Sequence, residues 1–194
     1  MTTPLTESLA AIARGLTVLG RSALISSWRT GQSPARVRDV LAHRRMRSVG
    51  EVEGVFAWHD GIDFPPDVPA DDFHVFPGFY MLSLDEAVAS YDAYVSDRRW
   101  NPGWLPLFAN GGGDFYVVDL SEFERGSVLH FRIEETEYPV EFATVSAFFA
   151  TLAAAFKEGI FFIDSAGYLE MDDTAFGELA ARFNPGISWW TEPI

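Results

Sequence analysis

The sequence predicts an α+β domain: a mostly antiparallel central sheet with helices packed on it. Three observations carry this. Four strand-type segments follow one another between residues 104 and 142 with only turns between them. Helical periodicity brackets them, at 84–95 and 145–156. Nearly half of the 194 residues are hydrophobic, and a chain of this length buries about 70% of its unfolded surface. Strands grouped together, rather than alternating with helices, mark α+β rather than α/β folds.

Taken in order, Thr3-Pro4 reads as an N-cap followed by proline at the first helical position. Leu5, Leu9, Ile12, Leu16 and Leu19 recur at helical spacing, and Gly20 ends that run. A second helix starts at Ser33-Pro34, with Val37, Val40 and Leu41 on one stripe. These two helices make residues 1–46 an N-terminal helical extension, and residues 47–194 the main domain. Ser48-x-x-Glu51 matches a capping box for a short helix burying Val52, Val55 and Phe56, which Asp60-Gly61 stops. Residues 62–79 are an irregular loop with four prolines, and loops of such length in compact domains are often functional.

Ser83-x-x-Glu86 is a second capping box, ahead of Leu84, Ala87, Val88, Tyr91, Tyr94 and Val95 at helical spacing. The strand Trp104 to Ala109 then runs into Asn110-Gly111-Gly112-Gly113-Asp114, and a second strand, Phe115 to Leu120, follows at once. A phosphate-binding loop needs its glycines between a strand and a helix N-terminus. Here they lead into β-branched and aromatic residues, so a tight strand-to-strand turn is expected. Phe115 to Val118 is apolar on both faces, as in a central strand. Leu129, Phe131 and Ile133 alternate with His130 and Arg132, which predicts one wet face. Tyr138 to Phe142 carries Pro139 and suits an edge. Thr144 caps a helix that Gly159 ends; Ile160 to Ile163 is a strand, Asp164 to Gly167 a turn, and a last helix stops at Asn184-Pro185.

In this order and spacing, the segments Phe56-Ala57-Trp58-His59-Asp60-Gly61 and Phe76 to Ala87, the glycine turn and Asp119 resemble the SUKH superfamily. The resemblance covers about residues 47 to 158. It implies a SUKH-like fold whose signature positions are Trp58, Asp60, Gly61, Gly111, Gly112, Gly113, Asp114 and Asp119. It also implies that these maintain the fold and line a shared cleft rather than catalyse. The superfamily comprises cell-wall-synthesis regulators and bacterial immunity proteins that neutralise toxins, so either role follows from the resemblance.

Composition narrows the chemistry. Cysteine is absent, which excludes disulfides and thiolate catalysis. The N-terminus lacks the pattern of a secretory signal, and the longest oily segment, Val145 to Phe156, is too short to span a bilayer. A cytoplasmic location is expected, with no membrane partner. Residues 1–50 hold eight arginines against two acids, +6; the rest holds six basic residues against 26 acids, −20; together they give the net −14. An acidic body repels phosphate and attracts basic proteins, so no nucleic-acid partner is expected. The arginines read as a solvated helix face partly paired with that body.

No Gly-x-Ser-x-Gly elbow is present, and the four histidines lie in no metal-spaced pair. Neither metal nor cofactor is expected, and no catalytic residue is assigned. Asp60, Asp114 and Asp119 are the only carboxylates that suggest acid–base work, and each has a plainer role in a turn. The leading expectation is a protein-binding module for a basic toxin domain, using Trp58, Asp63, Asp67, Asp71, Asp72 and Phe73 around the 62–79 loop. A regulatory scaffold, and an enzyme built on the three aspartates, are the alternatives.

Overall fold

In a computed structural model of the chain, described over residues 4–121 and 126–191, the hairpin of β4 (Trp104–Ala109) and β5 (Phe115–Asp119) forms the middle of the main sheet. Trp104 pairs with Asp119 and Ala109 with Phe115. The other strands are β3 (Tyr80–Met81), β6 (Val128–Phe131) and β7 (Val140–Phe142), in the order β3-β4-β5-β6-β7. Every pairing is antiparallel, and the strand after Pro139 is indeed at the edge. Pro106 lies inside β4, where it lacks a ladder N–H; the register shifts between Pro106 and Phe108, a bulge that accommodates it.

Helices cover both faces. On one, Tyr94 of α5 (Leu84–Tyr94) meets Phe115 and Phe131, with Trp100 and Trp104 beside them. On the other, Phe148 and Phe149 of α6 (Val145–Glu158) meet Phe108, and Phe148 also meets Phe142. The caps explain the helix starts: Ser83 and Glu86 form a complete capping box, and Thr144 accepts from the Ala147 N–H at 3.0 Å. Gly159, at φ 71°, closes α6.

The remaining helices are α1 (Pro4–Val18), α2 (Ser22–Ser27), α3 (Pro34–Ala42), α4 (Gly50–Trp58), α7 (Asp173–Phe183) and α8 (Ser188–Thr191). Leu5, Leu9, Ile12 and Leu16 of α1, and Val37 and Leu41 of α3, belong to the same core as the sheet, so these helices are packed into the domain. The Thr3 cap expected for α1 lies outside the described residues. Among those residues, no helix is long and apolar enough to cross a membrane.

Two small antiparallel sheets add to the main one; of their four strands only β8, with the turn after it, was expected from the sequence. β1 (Trp28–Thr30) pairs with β2 (His59–Ile62), so Asp60-Gly61 belongs to a strand rather than simply stopping α4. β8 (Phe161–Ile163) pairs with β9 (Leu169–Met171). Ser48 also departs from expectation: Val49 is the N-cap of α4, with no side-chain cap bond, and Glu51 accepts instead from the Ser146 hydroxyl. Docking against α6 outcompetes the local cap.

Candidate functional site

The turn between β4 and β5 is organised by Asn110. Its side-chain oxygen accepts from the N–H groups of Gly112 (2.7 Å) and Asp114 (3.1 Å). Gly111 and Gly113 sit at φ 78° and 105°, which L residues rarely adopt. Asp114 was expected to hold the turn's own N–H groups. It accepts instead from the Asn110 amide (2.9 Å) and from the Ile133 N–H (2.8 Å), tying the turn to the segment after β6. At the far end of β5, Asp119 accepts from the Ser121 N–H (2.8 Å) and the Trp104 indole (3.2 Å). Asp114, just before β5, and Asp119, its last residue, thus stand roughly 16 Å apart along the strand.

Asp60 is 8% exposed. One oxygen accepts from the Leu84 N–H at 2.7 Å, in the first turn of α5, and the other from the Gln32 amide at 2.6 Å. A carboxylate at a helix N-terminus satisfies a free donor and complements the helix dipole. Gly61, at φ 74°, lies against the same helix start: a Cβ there would be 2.4 Å from the Ser83 nitrogen. Asp60-Gly61 therefore joins β2 to α5, and no side chain larger than hydrogen fits.

Trp58 is half-buried in a cluster with Trp28 and His59. The two indoles meet edge-on at 4.8 Å, and His59 stacks on Trp28 at 4.2 Å. Burial holds the His59 ring below its ordinary pKa, partly offset by a bond to the Arg29 carbonyl. The indole N–H of Trp28 is buried and unpartnered.

The 62–79 loop divides into two parts. Asp71 and Asp72 face inward onto Arg21, which is 5% exposed. Asp71 also accepts from His74 (3.1 Å) and from the Leu169 N–H of β9 (3.2 Å). Burial lowers the pKa of His74, an effect the Asp71 charge opposes. Phe73 is 1% exposed, a core side chain beneath the loop that no partner can reach in this conformation. Asp71 and Asp72 thus neutralise the buried guanidinium of Arg21, the Asp72 side chain staying 39% exposed, and Phe73 is part of the core. In the outer part Asp63 and Asp67 are exposed, and Phe64, for which the sequence carried no such expectation, is exposed beside them. Phe64 is 44% exposed and packs edge-on against Phe73 and Tyr80. Asp63 pairs with Arg29 yet stays largely exposed, and Asp67 is exposed.

Arginines of residues 1–50 spread across the acidic body: Arg36 reaches Asp85, Arg38 reaches Glu53, and Arg44 grips Asp92 through two bonds of 3.0 and 2.6 Å.

One polar cluster went unnoticed in the sequence. The side of the chain carrying His130 of β6 and Arg132 just after it, expected to be wet, is covered by Phe79, by Tyr116 of β5 and by Trp189 of α8. Glu141, 1% exposed, accepts from Arg132 (2.8 Å) and from the Tyr116 hydroxyl (3.3 Å). Burial pushes Glu141 up to about 7, against the pull of Arg132. Burial, reinforced by Arg132, pushes His130 down to about 3, so its 4.0 Å approach to Glu141 is not an ion pair at neutral pH. Both ring nitrogens of His130 are buried and unpartnered. The signal that could have located this cluster is Glu141 between apolar neighbours on a short strand.

Asp60, Asp114 and Asp119 thus each spend both oxygens on neighbouring donors, and the last two are held at opposite ends of one strand. Among the described residues, no three His, Asp or Glu side chains gather as a cation site. A sequence profile of the SMI1 / KNR4 family (SUKH-1) matches residues 55–151, from α4 through the whole central sheet and into α6. No curated protein sequence matches the chain.

Proposed function

The chain belongs to the SMI1 / KNR4 family (SUKH-1), and from that premise we propose that it is a non-enzymatic, cytoplasmic binding module: an immunity protein that neutralises a cognate basic bacterial toxin by occluding it. The observation that carries this reading is the outer part of the 62–79 loop. There a large aromatic, Phe64, stands 44% exposed between Asp63, whose side chain is 73% exposed, and Asp67. Aromatic anchors surrounded by complementary charge dominate protein interfaces of about 800 Å² per partner. The −20 balance of residues 51–194, only partly met by the N-terminal arginines, favours a basic partner and speeds its approach.

The test is a pull-down from the native host with an N-terminal tag, washed at low and high salt. The reading expects one basic enzyme, retained at low salt and released at high salt. Recovery of cell-envelope proteins alone, independent of salt, would overturn it. That outcome would support the second reading, a regulatory scaffold, with which the family match is equally compatible.

A further inference from the structure

Beyond the family-matched segment, the hairpin of β8 and β9 presents a face that nothing in the described chain covers. Register fixes which side chains share it. Phe161 pairs with Met171 and Ile163 with Leu169, and Phe161 and Leu169, both 2% exposed, point into the core. Alternation then sends Phe162 and its cross-strand partner Glu170 outward, with Tyr168 two residues before Glu170 on the same side. Phe162 is 42% exposed and Tyr168 52%. Exposed large aromatics placed together on one sheet face mark a contact surface.

Charge around this face has one sign. Residues 160–181 contain five acids, Asp164, Glu170, Asp172, Asp173 and Glu178, and no Lys, Arg or His. Among the described residues, none of the five takes part in an ion pair. Asp164 accepts from the Ala166 and Tyr168 N–H groups and Asp172 caps α7, while Asp173 stands in the first turn of that helix; no cation of the described chain offsets their charge. The hairpin is also held in place: the Leu169 N–H bonds Asp71, which Arg21 grips, in the turn that carries Phe73. Phe73 in turn supports Phe64 at 5.1 Å. The hairpin and the Phe64 edge are therefore both tied to the Ala70–Phe73 turn, the first through Asp71 and the second through Phe73.

We infer that the outer face of the β8–β9 hairpin is a docking surface for a basic protein, with Phe162 and Tyr168 as anchors for Lys or Arg side chains and Glu170 and Asp173 as the charges that recruit them. This rests on the reading that the chain binds a basic protein, and adds where that protein sits. Arginine stacks readily on aromatic faces, and such contacts strengthen when acids nearby raise the local cation concentration.

The test replaces Phe162, Tyr168 or, in a separate protein, Phe64 with the photo-crosslinking residue p-benzoylphenylalanine in the native host, and identifies adducts by mass spectrometry. The inference expects one basic protein attached at 162 or 168, lost when cells are irradiated after lysis into high salt. It also expects Glu170→Lys, on the outward face of β9 and clear of the α7 N-terminus, to slow association of that purified protein about threefold at low salt, with an unchanged melting temperature. Attachment of a basic protein at 64 alone would overturn the hairpin surface while leaving the partner reading intact. Attachment to a second copy of this chain would overturn the proposed occupant. No adduct at any of the three positions would overturn both.

Discussion

Replacing His130 with Phe tests the buried cluster beside β7. The ring stacks on Tyr116 at 4.5 Å with both nitrogens unpartnered, and its side chain is 12% exposed. Burial pushes its pKa down to about 3, against about 6.5 in an unfolded chain. The unfolded state therefore takes up a proton as pH falls through 6.5, and the folded state does not until about 3. Stability supplied by the neutral ring is present above 6.5 and lost as pH falls. From pH 7.5 to pH 5 the loss is about 1.5 pH units at about 1.4 kcal/mol each, or about 2 kcal/mol. Phenylalanine cannot titrate, so His130→Phe should gain about 2 kcal/mol relative to the parent over that interval. Altered packing adds an offset, but one that does not vary with pH. Urea unfolding followed by tryptophan fluorescence at pH 5, 6, 7 and 7.5 reads the difference. Profiles that stay parallel within about 0.5 kcal/mol would refute the reasoning, because they would mean that the folded ring titrates as it does in water.

Other perturbations address the signature positions. Gly61→Ala places a Cβ 2.4 Å from the Ser83 backbone at positive φ, and should lose more than about 2 kcal/mol in urea unfolding or fail to fold. Asp60→Ala leaves the Leu84 N–H and the Gln32 amide without acceptors in a buried site; a loss of about 2–4 kcal/mol is expected, and a loss under 0.5 would show that water replaces the carboxylate. Asn110→Ala removes the acceptor for two turn N–H groups, at a cost of about 1–2 kcal/mol. Charge reversal at Asp71 or Asp72 should lower the melting temperature, because each holds the buried Arg21, whereas Asp67→Lys should leave it unchanged.

The features legible in the sequence were those set by local chemistry. The glycine turn, the Ser83–Glu86 capping box, the helix after Thr144 and the edge strand after Pro139 each follow from residues within a few positions of one another. What stayed hidden depends on distant partners. Trp28–Thr30 becomes a strand only because His59–Ile62 lies beside it. Ser48 looked like a cap, but Glu51 is drawn to Ser146, 95 residues away. His130 and Arg132 read as solvent-facing because alternation says which face a residue takes, not what covers that face. Asp71 and Asp72 read as surface acids because nothing nearby announces that Arg21 is buried against them. At the candidate site, the sequence found the loop, and Asp63 and Asp67 lie on its surface, but it missed Phe64 beside them and the exposed aromatics of the β8–β9 hairpin.

The central claim is that this protein silences a basic enzyme by covering its active site. The most direct measurement titrates purified protein into the enzyme recovered from the low-salt pull-down while following that enzyme's activity. The account predicts that activity falls to zero at one equivalent, and that Asp63→Lys with Asp67→Lys weakens the inhibition. An enzyme that remains fully active when saturated with this protein would contradict it.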